Sequence, residues 1–267
     1  MTIVCRLEEP KDYRAVEVLT REAFWGCMGC PVCDGEHLLV HKLRDAASLV
    51  PALDYVAEID GELAGHVIYS LAHIVAADGK ATEVLTFGPL SVLPKYKRAG
   101  VGTALMQCTI GKARELGYRA IVLFGHPDYY PRFGFRRASE FSITADTGDS
   151  FDAVMAMPLY DGALDGVCGR VVLDSVYDMK AEEVAAFDLT FPEKEPAKLA
   201  TVQSLADEVP AHFVDALLEH GIKYISQVQM KSGAEMLRWV GVTGEDVSAL
   251  NRALSKRGHP QARIPAH

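Results

Sequence analysis

The chain has 267 residues, 49% hydrophobic and 24% charged, which suggests about two globular domains with ample core material. Its formal charge of −9 argues against a protein devoted to nucleic acid or an anionic membrane, and no apolar run approaches the ~20 residues of a membrane helix. The amino terminus, Met-Thr-Ile-Val-Cys-Arg-Leu-Glu-Glu-Pro, lacks the basic-then-apolar shape of a signal peptide, so the six cysteines read as reduced thiols and the chain as cytoplasmic.

Ile3 to Leu7 can form an opening strand. Pro10 stands where a first helical turn tolerates it, and Tyr13, Val16, Val18, Leu19 and Phe24 suit a helix to about Ala23. Cys27-Met-Gly-Cys30-Pro-Val-Cys33 follows, then His37 and His41 on one face of a helix predicted over Glu36–Arg44. Zinc takes thiolates and imidazoles tetrahedrally, often from Cys-x2-Cys pairs. A second such pair at the usual long spacing is missing, so a loop leading into an amphipathic helix is the preferred reading and no metal is expected.

From Asp54 the periodicity becomes that of strands. Tyr55-Val-Ala-Glu-Ile and the run from Leu63 to Val75 flank Asp60-Gly61, a strong hairpin signal. Thr82 to Val92 is the next strand; Pro89 cannot donate to a ladder and implies a break or bulge there. That strand feeds a basic loop, Lys95-Tyr-Lys97-Arg98-Ala99-Gly100-Val101-Gly102, which opens a helix from Val101 to Leu116 stopped by Gly117. Glycines let the backbone approach a ligand closely, and a helix N-terminus selects an anion, most simply a phosphate or pyrophosphate. Neither the P-loop nor the Gly-x-Gly-x-x-Gly pattern is present. Arg119 to Phe124 reads as a buried strand, and Pro127 can head a short helix carrying Tyr129 and Tyr130. Phe141 to Ile143 and Phe151 to Leu159 read as two final strands, giving an α/β or α+β three-layer domain.

Lys97-x-x-Gly100-x-Gly102, preceded by Val92-Leu-Pro and followed by Tyr130-Pro-Arg-Phe-Gly134-Phe135, resembles the GNAT superfamily of N-acetyltransferases. The wording Gly-His-Pro-Asp-Tyr-Tyr-Pro-Arg-Phe-Gly-Phe is similar to a subgroup of small bacterial predicted acetyltransferases, and the likeness covers about residues 1–160. The family pattern there is Arg/Gln-x-x-Gly-x-Gly/Ala, so Lys97 departs from it. The resemblance implies a mixed central sheet flanked by helices. It also implies acetyl-CoA as co-substrate, its pyrophosphate on Lys97, Arg98, Ala99, Gly100, Val101, Gly102 and Thr103, and its pantetheine arm on the backbone of Leu90 and Val92. Tyr130 matches the family's general acid, and Leu90 N–H is the candidate for polarising the thioester carbonyl. Trp25, the Cys27–Cys33 loop and His37 fall where the family borders its acceptor pocket, so they are expected to shape substrate binding. Glu83 opens the central strand, where some members carry a carboxylate acting through water; His126, His73 and His66 are alternatives as base. The expected reaction is acetyl transfer to a primary amine of a small molecule or a protein. The alternative is a coenzyme-binding regulatory module with weak or no turnover.

Composition shifts beyond Pro158. Residues 174–209 hold nine carboxylates against three lysines, punctuated by Pro192 and Pro196, and read as an acidic helical arm or linker. The resulting division is 1–172, 173–209 and 210–267. The last part is helical, with a capping box at Ser232–Glu235. Val240-Gly-Val-Thr-Gly-Glu-Asp resembles the helix-hairpin-helix module at the end of the bacterial RNA polymerase α subunit. Thr243 replaces its second glycine, and Glu245 and Asp246 would repel phosphate. Arg252, Lys256, Arg257 and Arg263 make the end basic. Nucleic acid and membrane are not expected as partners; a homodimer or a protein partner through these helices is compatible with the pattern.

Overall fold

A computed structural model describes residues 2–259 and residue 262; Arg263 lies outside them. Its sheet grows from the Asp60-Gly61 turn, where both residues take positive φ (51° and 84°), the geometry that matches strand twist in tight hairpins. The turn closes β2 (Tyr55–Ile59) on β3 (Glu62–Val75). β1 (Ile3–Leu7) pairs antiparallel with β2, and β4 (Ala81–Val92) antiparallel with β3. α3 (Val101–Glu115) then crosses over to β5 (Ala120–Phe124), parallel to β4. β8 (Val154–Pro158) and β6 (Arg136–Arg137) continue that edge, while β7 (Ile143–Thr144) and β9 (Gly169–Val172) add to the far end of β3.

Strand alternation explains the layers. Ala57, Val67, Leu85 and Ile121 face α3 through its Val101, Leu105, Met106 and Ile110. Val56 and Ile68, one position away, pack on Val16 of α1 (Tyr13–Phe24) and on Leu39, Val40 and Leu43 of α2 (Glu36–Leu43). The fold is the mixed α/β sheet flanked by helices that the sequence suggested. Three local expectations change. Phe141 sits in a 3-10 turn (Ala138–Phe141), leaving only Ile143 and Thr144 as strand. β6 and β9, of two and four residues, are too short to show a period. The helix drawn from Pro127 is a turn followed by a 3-10 segment, Tyr130–Phe133.

Residues 173–200 are no loose linker. α4 (Ala181–Asp188) and the extended stretch after it lie across α1 and α2. Asp188 takes a two-pronged bond from the buried Arg21 (2.6 and 2.9 Å), Arg14 donates to Thr190 O at 2.5 Å, and Lys194 reaches Glu22 at 2.6 Å. Beyond this strap, α5 (Ala211–Glu219), α6 (Gly233–Met236) and α7 (Gly244–Lys256) share a separate core around Phe213, Leu217, Met236 and Leu250. At the turn before α7, Asp246 accepts from both the amide (2.8 Å) and the hydroxyl (2.7 Å) of Thr243. That capping box leaves the turn's amide at Thr243 already bonded within the chain. Among the described residues no helix is long and apolar enough to cross a membrane.

Candidate functional site

The site follows from a failure of pairing in the sheet. β4 and β5 are hydrogen-bonded neighbours in register at Leu85 and Ile121 alone. On its other edge β4 loses step with β3 between Val67 and Tyr69, opposite Gly88 and Pro89. Past that irregularity the stretch Leu90–Val92 has β3 on one side and a cleft on the other. The cleft measures about 650 Å³.

One end of the cleft is the start of α3. Arg98 and Gly100 take positive φ (68° and 91°), turning the loop so that Gly100 becomes the N-cap. No side chain caps this fifteen-residue helix, so its first amides and the positive end of its dipole face the cleft. Lys97, Arg98 and Arg132 line it, and none of its described lining residues is a carboxylate or an imidazole. In a chain of formal charge −9, that local excess of cations marks an anion site.

At the other end stands Tyr130, its ring among Tyr129, Phe87 and Phe135 at centroid distances of 5.0, 5.7 and 5.7 Å. A Cβ on Gly125 would lie 2.5 Å from its Cε2, so only glycine there lets the ring lie flat on β5's end. Burial, with smaller contributions from Tyr129 and Tyr69, raises its pKa well above the ordinary tyrosine value. The phenol therefore stays protonated as a donor. Its neighbour Tyr129 turns the other way. Its hydroxyl lies 2.7 Å from where a Cβ on Gly102 would stand, and it bonds to the Thr103 side chain. Arg132 stacks over it at 4.6 Å and donates to its carbonyl at 2.8 Å.

The remaining wall is the end of α1 and the loop after it, through Ala23, Phe24, Cys27 and Met28. Thus Leu90, Val92, Lys97, Arg98, Gly100, Val101, Gly102, Thr103 and Tyr130 all line one cleft, with Ala99 within the loop. Three other sequence candidates lie elsewhere. His37 is wholly buried under the strap, 5.3 Å from Phe187 and 5.2 Å from Phe191 by ring centroids, with Asp188 at 3.3 Å. Trp25 also turns to the strap: its Nε1 donates to Glu195 O at 3.2 Å, and Arg21 and Lys194 stack on it. Glu83 is exposed at the far end of β4 beside Lys80, Tyr118 and Arg119. Seven residues of strand place it roughly 23 Å from Leu90.

The other base candidates lie outside the cleft as well. His66 is fully buried, bonds Asp54 at 2.9 Å, and is pushed down to about 4 by burial. His73 faces Glu83 across β3 and β4, and His126 Nδ1 accepts from the Asp128 amide at 3.1 Å. The cysteine-histidine stretch is likewise divided. Cys27 donates to Ala23 O at 3.5 Å, Cys33 to Glu36 at 3.3 Å, and His41 contacts Glu17 at 2.9 Å. Burial pushes the Cys33 thiol up to about 12. Tyr129 and Arg132 also line the cleft, and the sequence does not single them out for it; Cys27 and Met28 belong to the loop that the resemblance sets beside the acceptor. Arg132 has a signal, a cation inside the Tyr130–Phe135 motif, whereas Tyr129 reads as a packing aromatic.

Residues 19–135 match the profile of the acetyltransferase (GNAT) family. The chain is 30% identical over 169 residues to the uncharacterized N-acetyltransferase YhbS of Escherichia coli K12, covering 63% of this chain and 95% of the relative. It is similar in structure to GNAT family N-acetyltransferase YhbS from E. coli in complex with CoA, with 29% identity and a TM-score of 0.58 over 66% of this chain and 92% of that one. A GNAT family acetyltransferase from Brucella melitensis in complex with acetyl-CoA aligns with 28% identity and a TM-score of 0.52, covering 66% and 99% of the two chains.

Proposed function

The chain belongs to the GNAT family of acetyltransferases, and from that premise we propose that it transfers the acetyl group of acetyl-CoA directly to a primary amine. The observation that carries this reading is one cleft joining the uncapped start of α3 to a half-buried, protonated phenol. The pyrophosphate rests on the amides of Gly100–Thr103, with Lys97 and Arg98 adding charge. The pantetheine arm follows the open edge of β4 at Leu90 and Val92, as a strand would. Leu90 N–H polarises the thioester carbonyl, where oxyanion charge develops.

The amine nitrogen then attacks that carbon, the C–S bond breaks, and Tyr130 gives its proton to the departing thiolate. With no carboxylate or imidazole among the cleft's described lining residues, the amine arrives neutral or loses its proton to water. Glu83 therefore drops out as base. The acceptor lies against Phe24, Cys27 and Met28 rather than Trp25 and His37.

Tyr130→Phe tests the assignment. Turnover is expected to fall roughly 10²- to 10⁴-fold with acetyl-CoA affinity, measured by calorimetry, nearly unchanged. Undiminished turnover would remove Tyr130 from the acid's role. The lack of a base among the cleft's described lining residues favours one second reading, a coenzyme-binding module whose C-terminal helices serve a protein partner. Thiol release from acetyl-CoA over a panel of amines separates the two, since tight binding without turnover supports the module.

A further inference from the structure

The C-terminal helical unit touches the catalytic unit at points that surround the cleft. Arg98, in the phosphate loop, donates from Nη2 to Gly258 O at 3.0 Å. The amide of Gly29, next to Met28 in the opposite wall, donates to Ser226 Oγ at 3.1 Å, and a Cβ on Gly29 would run into the Gln227 side chain at 2.8 Å. The third contact lies beyond Tyr130. The buried Asp152 accepts from Ser232 Oγ at 2.6 Å and from Arg238 at 3.3 Å. Its neighbour Ala153 accepts the amide of Gly125, the residue under the Tyr130 ring. The unit thus contacts three segments that border the cleft.

The direction of the coenzyme decides which part of this unit it meets. With the pyrophosphate at the start of α3, the pantetheine arm runs inward to Leu90 and Tyr130. The 3′-phosphorylated adenosine must leave on the other side of the loop, over Lys97 and Arg98. Gly258 and His259 stand there. His259 is half-buried, and after burial itself the charges of Arg257 and Lys97 lower its pKa, so its ring lies within reach of both cations. Arg257 is already paired with Glu208, whereas Lys97 has no ion pair among the described residues.

We propose that the coenzyme site is built from both units, with the segment Arg257–His259 at the end of α7 forming the outer wall for the nucleotide end of the coenzyme. This rests on the coenzyme reading above. It reaches past what the chain shares with its relatives, because 63% of this chain accounts for 95% of YhbS.

Hydrogen exchange on the full-length protein, followed by mass spectrometry, tests it with three probes: coenzyme A, adenosine 3′,5′-bisphosphate and pantetheine. Coenzyme A is expected to slow exchange both at 97–103 and at 254–259, and the bisphosphate alone to reproduce the slowing at 254–259. Protection by coenzyme A confined to 97–103 overturns the wall, and protection at 254–259 by pantetheine but not the bisphosphate overturns its assignment to the nucleotide end. Absence of protection everywhere would instead sink the coenzyme reading itself.

Discussion

Tyr129 and Tyr130 are neighbours in sequence and face opposite ends of one cleft. The 3-10 segment that starts at Tyr130 sends its ring into the aromatic core and leaves the Tyr129 phenol on the first turn of α3. From there Tyr129 can donate to an anion held by Gly100–Thr103. Tyr129→Phe is therefore expected to weaken coenzyme A binding roughly 10- to 150-fold, the value of one hydrogen bond to a charged group, with turnover at saturation unchanged. Steady-state kinetics check it: an unaltered KM for acetyl-CoA refutes the contact. Sequence could name Tyr130, because its spacing to Gly134 is a motif. It could not tell what Tyr129 touches, since that depends on a turn type and on a helix some thirty residues earlier.

At the level of elements, the basic loop before α3 and β4 were legible because their signals are local. Glycines, a proline and a run of basic residues all lie within fifteen positions. The strap was not legible. His37 and His41 are four apart and read as one solvated face, yet Phe187 and Phe191, from the distant strap, bury His37 completely. Glu83 misled for a related reason, since a strand pattern gives the face of a residue but not which end of the sheet holds the ligand.

The strap's chemistry also has a pH signature. Burial lowers the His37 pKa below its ordinary 6.5, and Asp188, bonded first by Arg21, is held below 3.8. The unfolded chain thus binds a proton at position 37 that the folded chain refuses, so His37's contribution to stability falls as pH drops below 6.5. Between pH 7 and pH 5 the wild-type urea midpoint is expected to fall further than that of His37→Gln, which does not titrate there. Titration at the other sites cancels in the difference, including Asp54, which burial pushes up to about 6 and whose share has the opposite sign. Parallel pH profiles for the two proteins would contradict this account.

For the molecule as a whole, the composition break near Pro158 and the return of helical periodicity at Ala211 suggest separate parts, and the C-terminal helices have a hydrophobic cluster of their own beside the three clusters of the sheet and its helices. How those parts meet was invisible, because Arg98–Gly258 and Asp152–Ser232 join residues 160 and 80 positions apart and neither pair has a pattern of its own. The unpaired edge of β4 has a consequence at this scale. A sheet with an open seam between β4 and β5 is missing ladder bonds that a pantetheine arm lying there would supply, and on the proposed reading the coenzyme would act as a surrogate strand. At one hundred times its Kd such a ligand adds about 2.7 kcal/mol, and melting is expected to move up by about 5–10 °C for a chain of this size. Thermal scans across a coenzyme A titration measure this directly, and an unmoved transition at saturation would deny that the seam is filled. Heat tolerance then tracks metabolic supply: the chain is sturdiest when the donor it consumes is abundant and most fragile when that donor runs short.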